Sequence, residues 1–244
     1  MSVASPRVLL AGGLEPSGRV GLLADAQAVR DAGGLPLLVV TAVTAQGRRT
    51  FAWRAVTPAL VAAQVRALRE LGPVHAVKLG MVPGVAQLRA LLSALRGLRV
   101  PWVVDPVVEP SSGGRLSRLR RSDYLRLARG GVWLTPNAHE AAWLLNASPV
   151  RTAQGARLAA GALVDHGFAG VVVKGGHLEE AQAVDVLATA AELRVLSAGR
   201  LRRRSEHRGT GCRFASTLAT ELARGTSPSL AVRRAGTAVR SFLR

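Results

Sequence analysis

Short apolar runs alternate with segments of helical periodicity along most of the chain. Arg7-Val-Leu-Leu-Ala-Gly-Gly13 closes on glycine and predicts a buried strand; Leu35 to Thr44, Val74 to Leu79, Val100 to Val104, Val132 to Leu134 and Phe168 to Val173 are further runs of this kind. Between them, Val20 to Ala32 predicts a helix stopped by Gly33-Gly34. Thr57-Pro58 starts another, with a capping hydroxyl, proline at the first helical position and a stripe of Val61, Val65, Leu68 and Leu71. Val85 to Leu95, Ala138 to Leu145, Ala153 to His166 and Ala231 to Phe242 also repeat at helical spacing. Repeated strand-helix units predict an α/β fold: a mostly parallel central sheet with helices on both faces and ligands beyond the carboxyl ends of the strands. Val184 to Ala188 and Glu192 to Ser197, joined by a short turn, predict an antiparallel hairpin near one edge.

Composition bounds what this fold does. With 244 residues and 48% hydrophobic content, one large core is expected, hence a single domain over residues 1–244. No apolar stretch reaches bilayer length, and the first residues lack a charged start followed by an apolar run, so the expectation is a cytoplasmic protein without membrane contact. Cys212 is the only cysteine, which excludes an internal disulfide and a cysteine-rich zinc site. The five histidines, His75, His139, His166, His177 and His207, have no metal-ligand spacing and read as surface or loop residues. The net charge of +18 raises nucleic acid as a partner. Against it, the arginines are spread over the whole chain, aromatics are scarce at 4%, and no helix-turn-helix or zinc-finger signature occurs. The densest cluster, Arg200, Arg202, Arg203, Arg204 and Arg208, stands where it could steer a polyphosphate instead.

Candidate chemistry collects at the strand ends. Gly209-Thr-Gly-Cys212 opens a segment in which Phe214, Leu218 and Leu222 recur at helical spacing; the free amides and dipole of that helix start suit an anion, although an ordinary glycine turn would look the same. Asp105-Pro106 ends a run and precedes the flexible loop Glu109 to Gly114; its carboxylate can hold magnesium or simply terminate a strand. Asn137 and Glu140 fall where capping alone would explain them, yet an amide and a carboxylate together also suit a magnesium-water shell. Lys174 ends a buried run before two glycines, which is costly unless it meets an anion or snorkels to water. Together these are parts for phosphoryl transfer, without the Walker loop or the protein-kinase motifs.

In this order, Ala11-Gly-Gly-Leu-Glu-Pro-Ser-Gly18, Thr41-Ala-Val-Thr-Ala-Gln46, Lys78-Leu-Gly-Met81, Asp105-Pro-Val107, Thr135-Pro-Asn-Ala-His-Glu140, Lys174-Gly-Gly-His177 and Gly209-Thr-Gly-Cys212 resemble the hydroxymethylpyrimidine/phosphomethylpyrimidine kinases of thiamine biosynthesis. These have the three-layer ribokinase-like fold. The resemblance runs from about Val8 onward and implies an ATP- and Mg2+-dependent kinase for a small-molecule alcohol, acting as a homodimer. It implies that Gly13, Gln46, Met81 and Val107 line the pyrimidine pocket, and the Gln46 amide offers a donor and an acceptor to an aminopyrimidine edge. It also implies ATP-phosphate contacts for Asp105, Asn137, Lys174 and Thr210, and metal contacts for Glu140 and Asp105. Gly209 and Gly211 would supply the anion hole, Lys174 the positive charge, and Cys212 the base towards the substrate hydroxyl, with a thiol acidified by the helix N-terminus. Glu15, Arg19, Val20 and Arg213 depart from the family pattern near the pocket, which leaves a pyridoxal or pyridoxamine kinase as the alternative substrate reading. A basic nucleic-acid-binding or regulatory protein without catalysis is the alternative from another class.

Overall fold

The computed structural model describes residues 5–47, 49–107, 116–128, 131–176, 178–199 and 208–244. Nine strands form one sheet: β1 (Arg7–Leu14), β2 (Leu35–Gln46), β3 (Phe51–Ala55), β4 (Ala76–Leu79), β5 (Trp102–Val104), β6 (Val132–Leu134), β7 (Gly170–Val173), β8 (Ala183–Thr189) and β9 (Leu193–Ala198), in the order β3-β2-β1-β4-β5-β6-β7-β8-β9. From β2 to β7 all neighbours are parallel; β3 on β2, β8 on β7 and β9 on β8 are antiparallel. The chain leaves β1 in one direction and returns to β4 on its other side, so a crevice opens at the carboxyl ends of the central strands.

The layers follow from strand alternation. Leu9, Val77, Val104, Leu134 and Val171 point into one core, which α2 (Pro58–Glu70), α3 (Val85–Ala94), α5 (Ala138–Leu145) and α6 (Ala153–Asp165) cover with Val61, Leu91, Leu144 and Leu163. Their neighbours Val8, Leu10, Ala76, Val103, Trp133 and Val172 point the other way, under α1 (Gly21–Asp31), α7 (Thr210–Ala223) and α8 (Pro228–Leu243), which contribute Leu22, Val29, Phe214, Leu218, Val232 and Ala235. The central strands are thus buried on both faces, as their unbroken valine and leucine runs predict. The three-layer α/β architecture and the β8–β9 hairpin are those expected from the sequence.

Local signals set the helix starts. The Thr57 hydroxyl accepts the Leu60 amide ahead of Pro58, and Thr152 accepts the Gly155 amide at the head of α6. Three details differ from expectation. Leu71 lies beyond the last turn of α2 and is 71% exposed, so the stripe of that helix ends with Leu68. The edge strand β3 and the one-turn helix α4 (Arg121–Leu125) were not predicted, because neither has a periodic apolar pattern. The loop Glu109 to Gly114, His177, His207 and the arginines Arg200, Arg202, Arg203 and Arg204 lie outside the described residues.

Candidate active site

The carboxyl ends of β1, β2, β4, β5, β6 and β7, together with the start of α7, border a cavity of about 590 Å³. Gly13, Gln46, Met81, Asp105, Val107, Asn137, Glu140, Lys174, Gly209, Thr210, Gly211 and Cys212 all line it. Segments from residue 13 to residue 212 therefore meet around one space.

The middle of the cavity is a cluster of opposed charges. Lys174, aligned beside Asn137 by an isolated parallel bridge, places Nζ 2.8 Å from Asp105 Oδ1. Burial works to raise the Asp105 carboxyl, but the Lys174 and Lys78 ammonium groups hold it below its ordinary value. Burial likewise opposes the Lys174 charge, and Asp105 and Glu140 override it, keeping the ammonium above its usual range. Lys174 has met a carboxylate rather than water, so the snorkelling alternative does not describe it. Asn137 and Glu140 do form a capping box: Asn137 Oδ1 accepts the Glu140 amide at 2.9 Å and Glu140 Oε2 accepts the Asn137 amide at 2.7 Å. Even so, burial lifts the Glu140 carboxyl to about 7, with Asp105 adding to the rise and Lys174 opposing it. A cap alone needs no second buried carboxylate at its side.

Above this cluster lies the start of α7. Gly209 is its N-cap, with φ 82°, and no side chain caps the helix. A Cβ at Gly209 would stand 2.3 Å from the Arg19 carbonyl oxygen, so the left-handed turn and the close approach both require glycine. The leading amides consequently meet the cavity with the positive end of the helix dipole behind them. A Cβ on Gly211 would lie 3.1 Å from Lys174 Nζ and 3.7 Å from Asp105 Oδ2, which fixes how close the amides come to the ion pair.

Cys212 is half-buried at the same turn. The helix start was expected to acidify its thiol. Instead, burial pushes it up to about 11, reinforced by the Asp25 and Asp105 carboxylates against the pull of Lys78 and the Gly21 amide. A neutral thiol, not a thiolate, faces the cavity at pH 7.

The outer end is apolar. Met81 packs with Ala42 and Leu116, and Trp53 and Val107 lie against them. Gln46 stands at the end of β2, its Oε1 accepting from Arg208 at 2.9 Å and its Nε2 donating to Thr44 Oγ1 at 3.3 Å. Glu15, buried beside the first loop, accepts the Ser17 amide at 3.0 Å and the Ser17 hydroxyl. At the opposite end, Asp185 of β8 accepts the Gly175 amide at 3.1 Å, with Arg240 of α8 bordering the same wall.

Several of these groups escaped the sequence reading: Asp25, Lys78, Thr44 and Asp185 line the cavity without having been assigned a part in it, and Arg208, expected to steer a polyphosphate, lines it too. A usable signal existed for two of them. Lys78 interrupts an apolar run much as Lys174 ends one, and Asp25 interrupts the stripe of Leu22, Ala26 and Val29 on α1.

Comparison with known proteins agrees with this geometry. A family profile described as phosphomethylpyrimidine kinase matches residues 15–244. A hydroxymethylpyrimidine/phosphomethylpyrimidine kinase of Streptomyces coelicolor is 37% identical over 237 residues, 96% of this chain and 87% of that protein. A probable thiamine biosynthetic bifunctional enzyme of rice is 36% identical over 246 residues; the match covers 98% of this chain and 44% of the longer rice protein. Among solved structures, the pyridoxal kinase of Staphylococcus aureus in complex with AMP-PCP and pyridoxal has a TM-score of 0.86 at 23% identity, covering 98% of this chain and 88% of that one, a likeness of ribokinase-like fold. The uncapped start of α7 and the lysine–aspartate pair line one cavity, and the profile spans nearly the whole molecule that builds it: the chain belongs to the phosphomethylpyrimidine kinase family.

Proposed function

We propose that the protein is an ATP-dependent kinase that phosphorylates the hydroxymethyl group of 4-amino-5-hydroxymethyl-2-methylpyrimidine, and then its monophosphate, in thiamine diphosphate biosynthesis. The observation that carries this reading is the meeting of the Lys174–Asp105 pair with the uncapped start of α7 in one cavity. In this reading Gly13, Met81 and Val107 sandwich the ring and Gln46 reads its edge. Gly209, Thr210 and Gly211 present amides to the migrating phosphoryl group, and Lys174 neutralises charge that grows there. Asn137 holds Glu140 in place and borders the phosphates. Cys212 stands beside the substrate hydroxyl; with its thiol neutral, it orients that hydroxyl, and proton loss follows late in a loose transition state.

Magnesium fits the donors present. Asp105 and Glu140 are two buried carboxylates, and Glu140 in particular gains little from its ionised form unless a cation comes near. Among the described residues no group of three or more acidic, histidine or cysteine side chains forms a full cage. A pair of carboxylates that leaves room for water and phosphate oxygens is the usual protein share of a magnesium site. Bound there, the ion would offset phosphate charge.

One feature favours a second substrate. Arg208 already donates to one lone pair of the Gln46 carbonyl, so an aminopyrimidine is left the second, whereas pyridoxal carries no amino group that needs that acceptor. A coupled assay with ATP, magnesium and each of the free pyrimidine, its monophosphate and pyridoxal tests the proposal. Turnover of both pyrimidines is expected, lost in Lys174→Ala; turnover of pyridoxal alone decides for the second reading. A single-domain cytoplasmic homodimer belongs to the same proposal, and sedimentation of the purified protein measures its assembly.

A further inference from the structure

Among the described residues, Lys78 is the largest side chain that the interior encloses completely. Val77 and Leu79 on either side of it face the core beneath α2 and α3, so strand alternation turns Lys78 to the other face, towards α1 and α7. There both carboxylate oxygens of Asp25 accept from Nζ at 2.8 Å, and the Ser216 hydroxyl donates to Asp25 Oδ1 at 2.7 Å. Each side chain of the ion pair is 1% exposed. Burying two charges costs several kcal/mol per ion in general, and apolar side chains of similar volume often hold a core as well. Stability therefore gives no reason for charge at this place.

The surroundings give one. Asp25 and Lys78 both border the cavity, and Ser216 sits one helical turn beyond Cys212 on α7. Glycine at position 80 leaves the space that the ammonium fills, since a Cβ there would stand 2.6 Å from Lys78 Nζ. We propose that Asp25 and Lys78 are positioning residues for Cys212: joined to α7 through Ser216, they lock its first turns against β4 and act on phosphoryl transfer through the thiol, without touching substrate. This rests on the placement of Cys212 beside the substrate hydroxyl. Burial weighs most on the thiol. Around it, Asp25 from α1 and Asp105 beyond β5 oppose a thiolate, while Lys78 from β4, Lys174 beyond β7 and the Gly21 amide favour one.

The sequence makes the test clean. Because Cys212 is the only cysteine, the rate at which iodoacetamide adds to the Cys212 peptide of the full chain at successive pH values, read by mass after digestion, follows this thiol and needs no substrate. Asp25→Asn keeps the shape and removes the negative neighbour, so the midpoint of modification should fall by about one pH unit; Lys78→Met removes the positive neighbour and should raise it by about as much. In both, kcat should drop about tenfold or more while KM for ATP stays within about threefold. Midpoints that match the parent or move in the same direction, or an unchanged kcat, overturn the proposal. Should a charge variant fail to fold by circular dichroism, Ser216→Ala deletes one hydroxyl and keeps the ion pair. Its expected mark is a kcat reduced about threefold or more at unchanged KM for ATP, and parental kcat would count against the proposal. If the parent phosphorylates none of the candidate alcohols, the kinase reading fails while the thiol midpoints still decide the coupling.

Discussion

Glu140 answers two demands with one carboxylate. Its Oε2 closes the cap of α5, and the same group borders the cavity beside Asp105. Burial lifts it from 4.5 to about 7, so the folded protein binds this proton more tightly than the unfolded chain does. The sign follows: the contribution is favourable below pH 4.5 and is lost as pH rises through about 7. Glu140→Gln keeps an oxygen for the Asn137 amide but cannot ionise. Between roughly pH 5 and pH 8 without magnesium, the melting temperature of the parent should fall relative to the variant by a few degrees. Thermal melts at each pH check this, and parallel curves would place the Glu140 charge elsewhere. Activity should move the other way, with the variant needing more magnesium at pH 8.

At the level of elements, the turn into α7 is the part least open to change. Gly209 combines a left-handed backbone with a contact to the Arg19 carbonyl that leaves no room for a side chain. Gly209→Ala should therefore cost about 1–3 kcal/mol of stability and tilt the amides out of line. Turnover should fall about a hundredfold or more, as when an oxyanion donor is removed; urea melts and steady-state kinetics measure the two effects. The same comparison shows what a sequence discloses. Lys174 was conspicuous because an ammonium at the end of Val171-Val-Val173 violates the local apolar pattern. Lys78 violates it equally, but its partner Asp25 is 53 residues away on another element, so only packing reveals the pair. The central strands were readable because both faces are buried. Edge strand β3 was not, since four of its five positions are exposed and of its side chains Trp53 is the one that packs against the Met81 cluster. The Cys212 thiol misled in a different way: a helix start is visible in sequence, whereas the burial that outweighs it, reinforced by Asp25 and Asp105, is not.

For the molecule as a whole, the chain that builds this cavity carries a formal net charge of +18. Long-range attraction from such a charge is screened within about 10 Å at 0.1 M salt. Raising salt from about 0.05 to 0.5 M should therefore increase KM for ATP severalfold while kcat changes little. An equal fall in kcat would show salt acting on the transfer step instead. The cavity also draws its walls from Gly12 near the start of the sheet and Leu243 at the close of the last helix. Pairing of β1 and β2 alone therefore leaves the cavity without the wall that α8 supplies. A truncation that trims α8 takes away Val232, Gly236 and Leu243 together and widens the cavity from behind.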